Sequence, residues 1–235
     1  MKMYYDLHIH TALSPCADDE MTPNNIVNMA HLKGLDIIAV TDHNSIKNVE
    51  AVSVAAKKQG ITVIPGMEVE TAEEVHIITL FPSMRSAYSV WQIVDDNMPF
   101  IENNPDIFGE QFVLDENDNI IEEESKLLLR ATKISVQKLF SLTKSVGGIA
   151  IPAHINRRSN SLISNLGFIP PELNVTTVEV SGNICLTDYL SQNPYLRNYN
   201  IISNSDAHSL GIISERNKFI DVINNKPQSI IGFFG

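Results

Sequence analysis

Asp6-Leu7-His8-Ile9-His10-Thr11 is the stretch on which the reading of this chain turns. Apolar Leu7 and Ile9 alternate with His8 and His10, and the run extends back through Tyr4 and Tyr5, which predicts a strand over residues 4–9. Side chains along a strand alternate between faces with a period of two, so both imidazoles emerge on the same side. That geometry suits chelation of one metal ion. Further short apolar runs predict strands over 35–41, 62–65, 75–81, 148–153, 177–180 and 201–204. Between them lie segments with apolar side chains at helical spacing. Residues 24–33 carry Ile26, Val27 and Ala30; residues 49–58 carry Val49, Val52, Ala55 and Ala56; residues 132–145 carry Ile134, Leu139, Phe140 and Leu142. Pro23, Gly34, Gly60 and Gly147-Gly148 punctuate them. Strands alternating with helices predict an α/β fold with a parallel sheet.

Charge is spread unevenly along the 235 residues. There are 28 Asp plus Glu against 17 Lys plus Arg, a formal net charge of −11, which argues against a nucleic-acid surface spread over the whole protein. Between Ser86 and Ser125 there is no Lys or Arg, and eleven acids fall there, from Asp95 to Glu124; the rest of the chain is balanced. Residues 83–130 therefore read as an acidic insertion within a single domain over 1–235. Inside it, Phe112-Val113-Leu114 and Ile120-Ile121 flank Asp115 to Asn119 as a small hairpin. The glycine and distal glutamate of a calcium-binding loop are not at their spacing, so 115–119 reads as a solvated turn. Two cysteines, Cys16 and Cys185, make no disulfide framework, the first ten residues lack the apolar region of a signal peptide, and no apolar run approaches the ~18 residues of a membrane span. A soluble, cytoplasmic protein with no membrane partner is expected.

Six of the seven histidines, His8, His10, His43, His76, His154 and His208, sit in or at the end of a predicted strand; His31 lies mid-helix and reads as an ordinary helix residue. Carboxylates join them at strand ends: Asp42 beside His43, Glu68 and Glu70, and Asp206 beside His208. Parallel α/β barrels carry their chemistry at the carboxyl ends of the strands, so ligands from six strands can converge on one mouth.

These residues resemble the polymerase and histidinol phosphatase (PHP) family of metal-dependent phosphoesterases. DLHIHT is similar to the family's first motif, TDHN to the second, Glu68 with His76 to the next, PAHINR to the His-bearing fifth-strand motif and SDAH to the last. The resemblance implies a distorted (β/α)7 barrel of parallel strands holding two or three divalent ions. Carried over by motif, His8, His10, Glu68 and Asp206 bind the first ion, and Glu68 bridges to a second completed by His76 and His154. His43, His208 and one loop residue bind the third. The loop from Ser14 to Glu20 is longer than the family's and lacks its glycine; Asp18 takes the expected place, with Asp19 as the close alternative. Cys16 reads as a small buried thiol, Glu70 as second choice to Glu68, and Asp6 and Asp42 as partners that orient imidazoles.

A donor set of His and carboxylate suits Mn, Fe or Zn. The implied activity is hydrolysis of a phosphomonoester or cyclic phosphodiester of a small metabolite or nucleotide by a metal-activated hydroxide. Asp206, His208 and His43 stand nearest that chemistry. Arg157, Arg158 and Arg216 are the candidate phosphate-binding cations. The acidic insertion reads either as a cap on the barrel mouth or as a solvated excursion or subunit contact; a cap this acidic would repel long polyanions, so a small phosphorylated substrate is expected over an extended nucleic acid. Two other readings stay open. A C–N hydrolase of the amidohydrolase superfamily expects a bridging lysine on a mid-barrel strand, and none of the predicted strands carries Lys in its core. A non-catalytic metal-binding regulatory module expects a degenerate ligand set.

Overall fold

The computed structural model describes residues 1–182 and 184–235. In chain order the elements are β1 (Lys2–Ile9), α1 (Pro23–Leu32), β2 (Ile37–Val40), α2 (Val49–Lys57), β3 (Thr62–Glu70), β4 (His76–Leu80), α3 (Met84–Asp96), α4 (Pro105–Phe108), β5 (Phe112–Leu114), β6 (Ile120–Glu123), α5 (Val136–Ser145), β7 (Ile149–Pro152), α6 (Leu162–Leu166), β8 (Thr177–Ser181), α7 (Leu186–Gln192), β9 (Asn200–Asn204), β10 (Phe219–Asp221) and α8 (Pro227–Phe234). All seven expected strands form, and so do the three expected helices.

The sheet is mixed, which corrects the expectation of a (β/α)7 barrel with all strands parallel. Six strands pair in the order β10-β1-β2-β3-β4-β7, while β8 and β9 pair with each other. β1, β2 and β3 run parallel, whereas β4 is antiparallel to both β3 and β7. The reason is the connection. β3 runs on to Glu70, and a five-residue turn leads straight into His76, whereas a parallel crossover needs a dozen residues or more. The edge strand β10 is antiparallel to β1. The β8–β9 ribbon is joined to the main sheet by a few main-chain hydrogen bonds: Ile155 N–H to Glu179 O (2.9 Å) on one side, and His10 N–H to Ala207 O (2.9 Å) with Ala207 N–H to His8 O (3.2 Å) on the other. The sheet curls so that these bonds link its two sides. Among the described residues no helix is long and apolar enough to cross a membrane.

The interior of the curl has two layers. Its floor is apolar: Tyr5, Leu7, Ile37, Ile64, Ile78, Ile151 and Ile202 are buried together. Strict alternation from Tyr5 and Leu7 would send His8 to the outer face. The pairing of β1 with β2 is irregular between Asp6 and Ile9, and beyond this shift both histidines point inward above the apolar floor. Residues 83–130 hold α3, whose Ala87, Val90 and Val94 are buried against the main core, followed by α4 and the expected hairpin of β5 and β6. At the hairpin turn the Asp115 carboxylate accepts the N–H groups of Asn117 and Asn119, so the turn is closed by its own acid.

In the β3–β4 pair Gly66 has no room for a side chain: a Cβ would lie 2.9 Å from Thr79 O and 3.0 Å from side-chain carbons of Leu80 and Thr41. Gly66→Ala should therefore lower stability by about 1–3 kcal/mol, read as a lower urea midpoint at unchanged slope. A change within about 0.5 kcal/mol would show that the two strands separate freely.

Candidate metal centre

Glu68 projects from the middle of the inner face, and imidazoles surround it. His76 Nδ1 and His154 Nε2 each lie 3.1 Å from its Oε1, and His43 Nδ1 lies 3.2 Å from its Oε2. His8 Nε2 and His10 Nε2 lie 3.4 Å from Oε1 and Oε2 respectively. Asp206 Oδ1 approaches from the other side, 3.3 Å from His8 Nε2 and 3.5 Å from His10 Nε2. Three sets of ligand atoms lie close enough together to share an ion: His8, His10 and Glu68; His43, Glu68 and His76; and His10, His43 and His208.

The outer nitrogens of the two leading histidines are already committed. His8 Nδ1 lies 3.0 Å from Glu179 Oε1, a buried carboxylate that also accepts His154 N–H (2.9 Å) and Asn204 Nδ2–H (2.7 Å). His10 Nδ1–H donates to Ser14 Oγ (2.9 Å), whose own hydroxyl donates to Asp42 (2.8 Å). With both Nδ1 atoms so engaged, each Nε2 faces two carboxylates and the other Nε2 at 3.2 Å, an arrangement that calls for a cation or a proton between them. His154 Nδ1 is buried with no hydrogen-bond partner among the described residues. Imidazole and carboxylate donors so arranged fit divalent ions.

The electrostatics follow from this crowding. Burial works to raise the Glu68 carboxyl, but the neighbouring His76 and His8 outweigh it and hold it well below the usual carboxylate range. Burial opposes charge on His10 as well, yet hydrogen bonds to Asp206 and Glu68 carry it up to about 9. His208 goes the other way, down to about 4, through burial and the charge on His10.

Several expected site residues stand elsewhere. Asp18, expected to ligate the third ion, is exposed and belongs to none of the three sets. Its loop folds back through Ala17 N–H to Ser14 O, so Asp18 meets the site with its main chain, N–H to His208 O at 2.8 Å. Cys16 is exposed rather than buried. Asp6 and Asp42 touch no imidazole directly. Asp6 accepts the N–H groups of Ser205 and Ser214, and Asp42 reaches His10 only through Ser14. Arg216 stacks on Tyr4, 4.2 Å from the ring centroid, at the opposite end of β1 from His8 and His10, which removes it from phosphate binding. Arg157 is at the mouth, half exposed, with its guanidinium 2.5 Å from Asp206 Oδ2, and exposed Arg158 adjoins it. Sequence reasoning missed Glu179 and Ser14. The signal for Glu179 was an acid between Val178 and Val180, which are both buried in the core.

The chain's sequence matches the PHP domain family over residues 6–159. This chain belongs to the PHP domain family. Among relatives of this PHP domain, a 5'-3' exoribonuclease of Haemophilus influenzae is 35% identical over 83 residues, a match spanning 34% of this chain and 29% of that protein. In fold the PHP domain resembles a lesion-specific endonuclease Q from Pyrococcus furiosus, with a TM-score of 0.66 at 19% identity, covering all of this chain and 57% of that one. A structure of endonuclease Q with a 27-mer duplex substrate carrying an abasic lesion at the active site gives a TM-score of 0.64 at the same identity and coverage. The chain thus covers 57% of endonuclease Q and 29% of the exoribonuclease. One expectation is overturned by these findings. Acidity pointed to a small phosphorylated substrate and away from extended nucleic acid, yet proteins of this fold include one holding a 27-mer duplex, and a relative is named an exoribonuclease.

Two outcomes are expected at the centre. Glu179→Gln and Ser14→Ala should each weaken divalent-ion affinity about 10–100-fold by releasing His8 or His10, measured by competition with a chromophoric chelator. The same titration should show affinity rising with pH up to about 9, because below that pH an incoming ion must displace the His10 proton. A flat profile between pH 6 and 9 would contradict this assignment.

Proposed function

We propose that this chain is a metal-dependent phosphoesterase that hydrolyses phosphodiester bonds of nucleic acid. The observation that carries the reading is the convergence of imidazoles and two carboxylates, Glu68 and Asp206, beside an arginine at the mouth. The names of the relatives support nucleic acid as the substrate class. The chain acts as a single barrel domain, with residues 83–130 inserted in it.

His8, His10, Glu68 and Asp206 would hold one ion, Glu68, His76 and His154 a second, and His10, His43 and His208 a third, with Mn, Fe or Zn suited to such donors. Bound there, divalent ions lower the pKa of water and neutralise charge on phosphoryl oxygens. The chain's own groups do the rest. Glu179 and the Ser14–Asp42 pair fix the rotation and tautomer of His8 and His10, so that each Nε2 faces inward. Arg157 is paired by charge with Asp206 and, half exposed, offers its guanidinium N–H groups to phosphate oxygens, with Arg158 beside it. His208 holds its Nδ1–H on Asp206 O (2.9 Å) and, with 31% of its side chain exposed, is the imidazole most open to a leaving oxygen.

The test is a hydrolysis panel on the metal-supplemented chain: single-stranded and duplex oligonucleotides, mononucleotides, phosphomonoesters and amides. Oligonucleotides should be cleaved, and His10→Ala and Glu68→Ala should each lose more than the 10–100-fold expected for an outer partner. Turnover of phosphomonoesters alone would refute nucleic acid as substrate. Turnover of amides alone would move the chain to C–N hydrolysis.

A further inference from the structure

The acidic segment stands on one side of the mouth. Phe112 N–H donates to Ala12 O (2.8 Å), and Gly109 lies so close to the loop after β1 that a Cβ there would fall 2.1 Å from Pro15 O. Buried Asn48, at the start of α2, holds both Phe112 O (2.9 Å) and Leu114 N–H (2.8 Å). Buried Asn44, next to His43, holds Leu128 O (2.8 Å) and Arg130 O (3.0 Å). Asn24 N–H, in the first turn of α1, donates to Asp118 (3.0 Å). Leu13, Met98, Val113 and Leu128 close a small apolar core beneath these bonds. These anchors, which hold residues 109–130, belong to the loops and helices that follow β1 and β2, while α3 packs on the main core.

On the far side of the ring of strands, Arg157 keeps 48% of its side chain exposed. Arg157 and Arg158 follow β7, which is separated from β2 by β3 and β4 on one side and from β1 by the β8–β9 ribbon on the other. They therefore face the acidic segment across the mouth. On the acidic side, Asp106 and Glu110 flank the Gly109–Pro15 contact, and Asp18, Asp19 and Glu20 are exposed on the neighbouring loop.

From this polarity we propose that the acidic segment is a one-sided wall that makes the site select strand ends. The polynucleotide runs outward over Arg157 and Arg158, and its last phosphodiester lies above the metal centre. A strand continuing past the centre would carry its next phosphates into Asp106 and Glu110, where like charge and the packed loop both oppose it. The inference rests on the nucleic-acid reading above and adds a specificity determinant that touches no metal ligand.

The experiment uses the full chain supplied with Mn, and linear and covalently closed circular single strands of the same sequence and length. The linear strand should be hydrolysed at least about tenfold faster than the circle. Combined charge reversal, Asp106→Lys with Glu110→Lys, should narrow that ratio while leaving metal content and the circular-dichroism spectrum unchanged. Raising salt from about 50 to about 300 mM should narrow it too, through screening. Binding read by fluorescence anisotropy without added metal should show the reversed variant gaining affinity for the circle. Equal cleavage of circle and linear strand by the unaltered chain, or a ratio that charge reversal leaves untouched, would overturn the wall. Hydrolysis of neither strand would overturn the nucleic-acid reading itself.

Discussion

A carboxylate in a dry interior is costly unless its charge is answered at contact distance, and Glu68 is such a group: buried, central and held ionised by the imidazoles around it. Much of the local architecture serves that need. The irregular step in β1 turns His8 and His10 inward over an apolar floor. At the ends of β7 and β9, His154 (φ 28°) and Asp206 (φ 54°) occupy left-handed backbone, a conformation that costs a non-glycine residue about 1–3 kcal/mol. The main-chain bonds from Ile155 to Glu179 and from His10 to Ala207 sit beside those two positions and hold them.

The strand-end histidines were legible because period-two alternation and repetition at equivalent positions are properties of the sequence itself. The direction of β4 was not, because apolar runs do not carry polarity; only the length of the 71–75 turn reveals it. Helix α3 runs from Met84 into the cation-free stretch, where uneven charge masked the apolar stripe of Ala87, Val90 and Val94. Glu179 looked like one acid in a short strand, and its meaning depends on His8, distant in sequence and adjacent in space. Arg216 failed for the complementary reason. Proximity in sequence to the last histidine motif says little once the chain turns back toward the other end of β1.

Net charge proved a poor guide to partners because it averages over direction. The acids between Ser86 and Ser125 are in part internally employed: Asp95 pairs with Lys126, Glu122 and Glu124 pair with Lys47, and Asp118 caps α1. What reaches a ligand is the local field at the mouth, where arginines and acids lie apart.

The pairing of β1 with β10, and of His10 with Ala207, has a consequence for assembly. β1 must meet the loop after β9 before His8 and His10 can face Asp206 and His208, groups roughly 200 residues apart, and contacts of such separation slow folding. On the ribosome, the first histidine pair emerges long before its acidic counterpart. A nascent chain can therefore offer a metal ion only part of its ligand set, and the complete centre exists only once the last strands have joined the first.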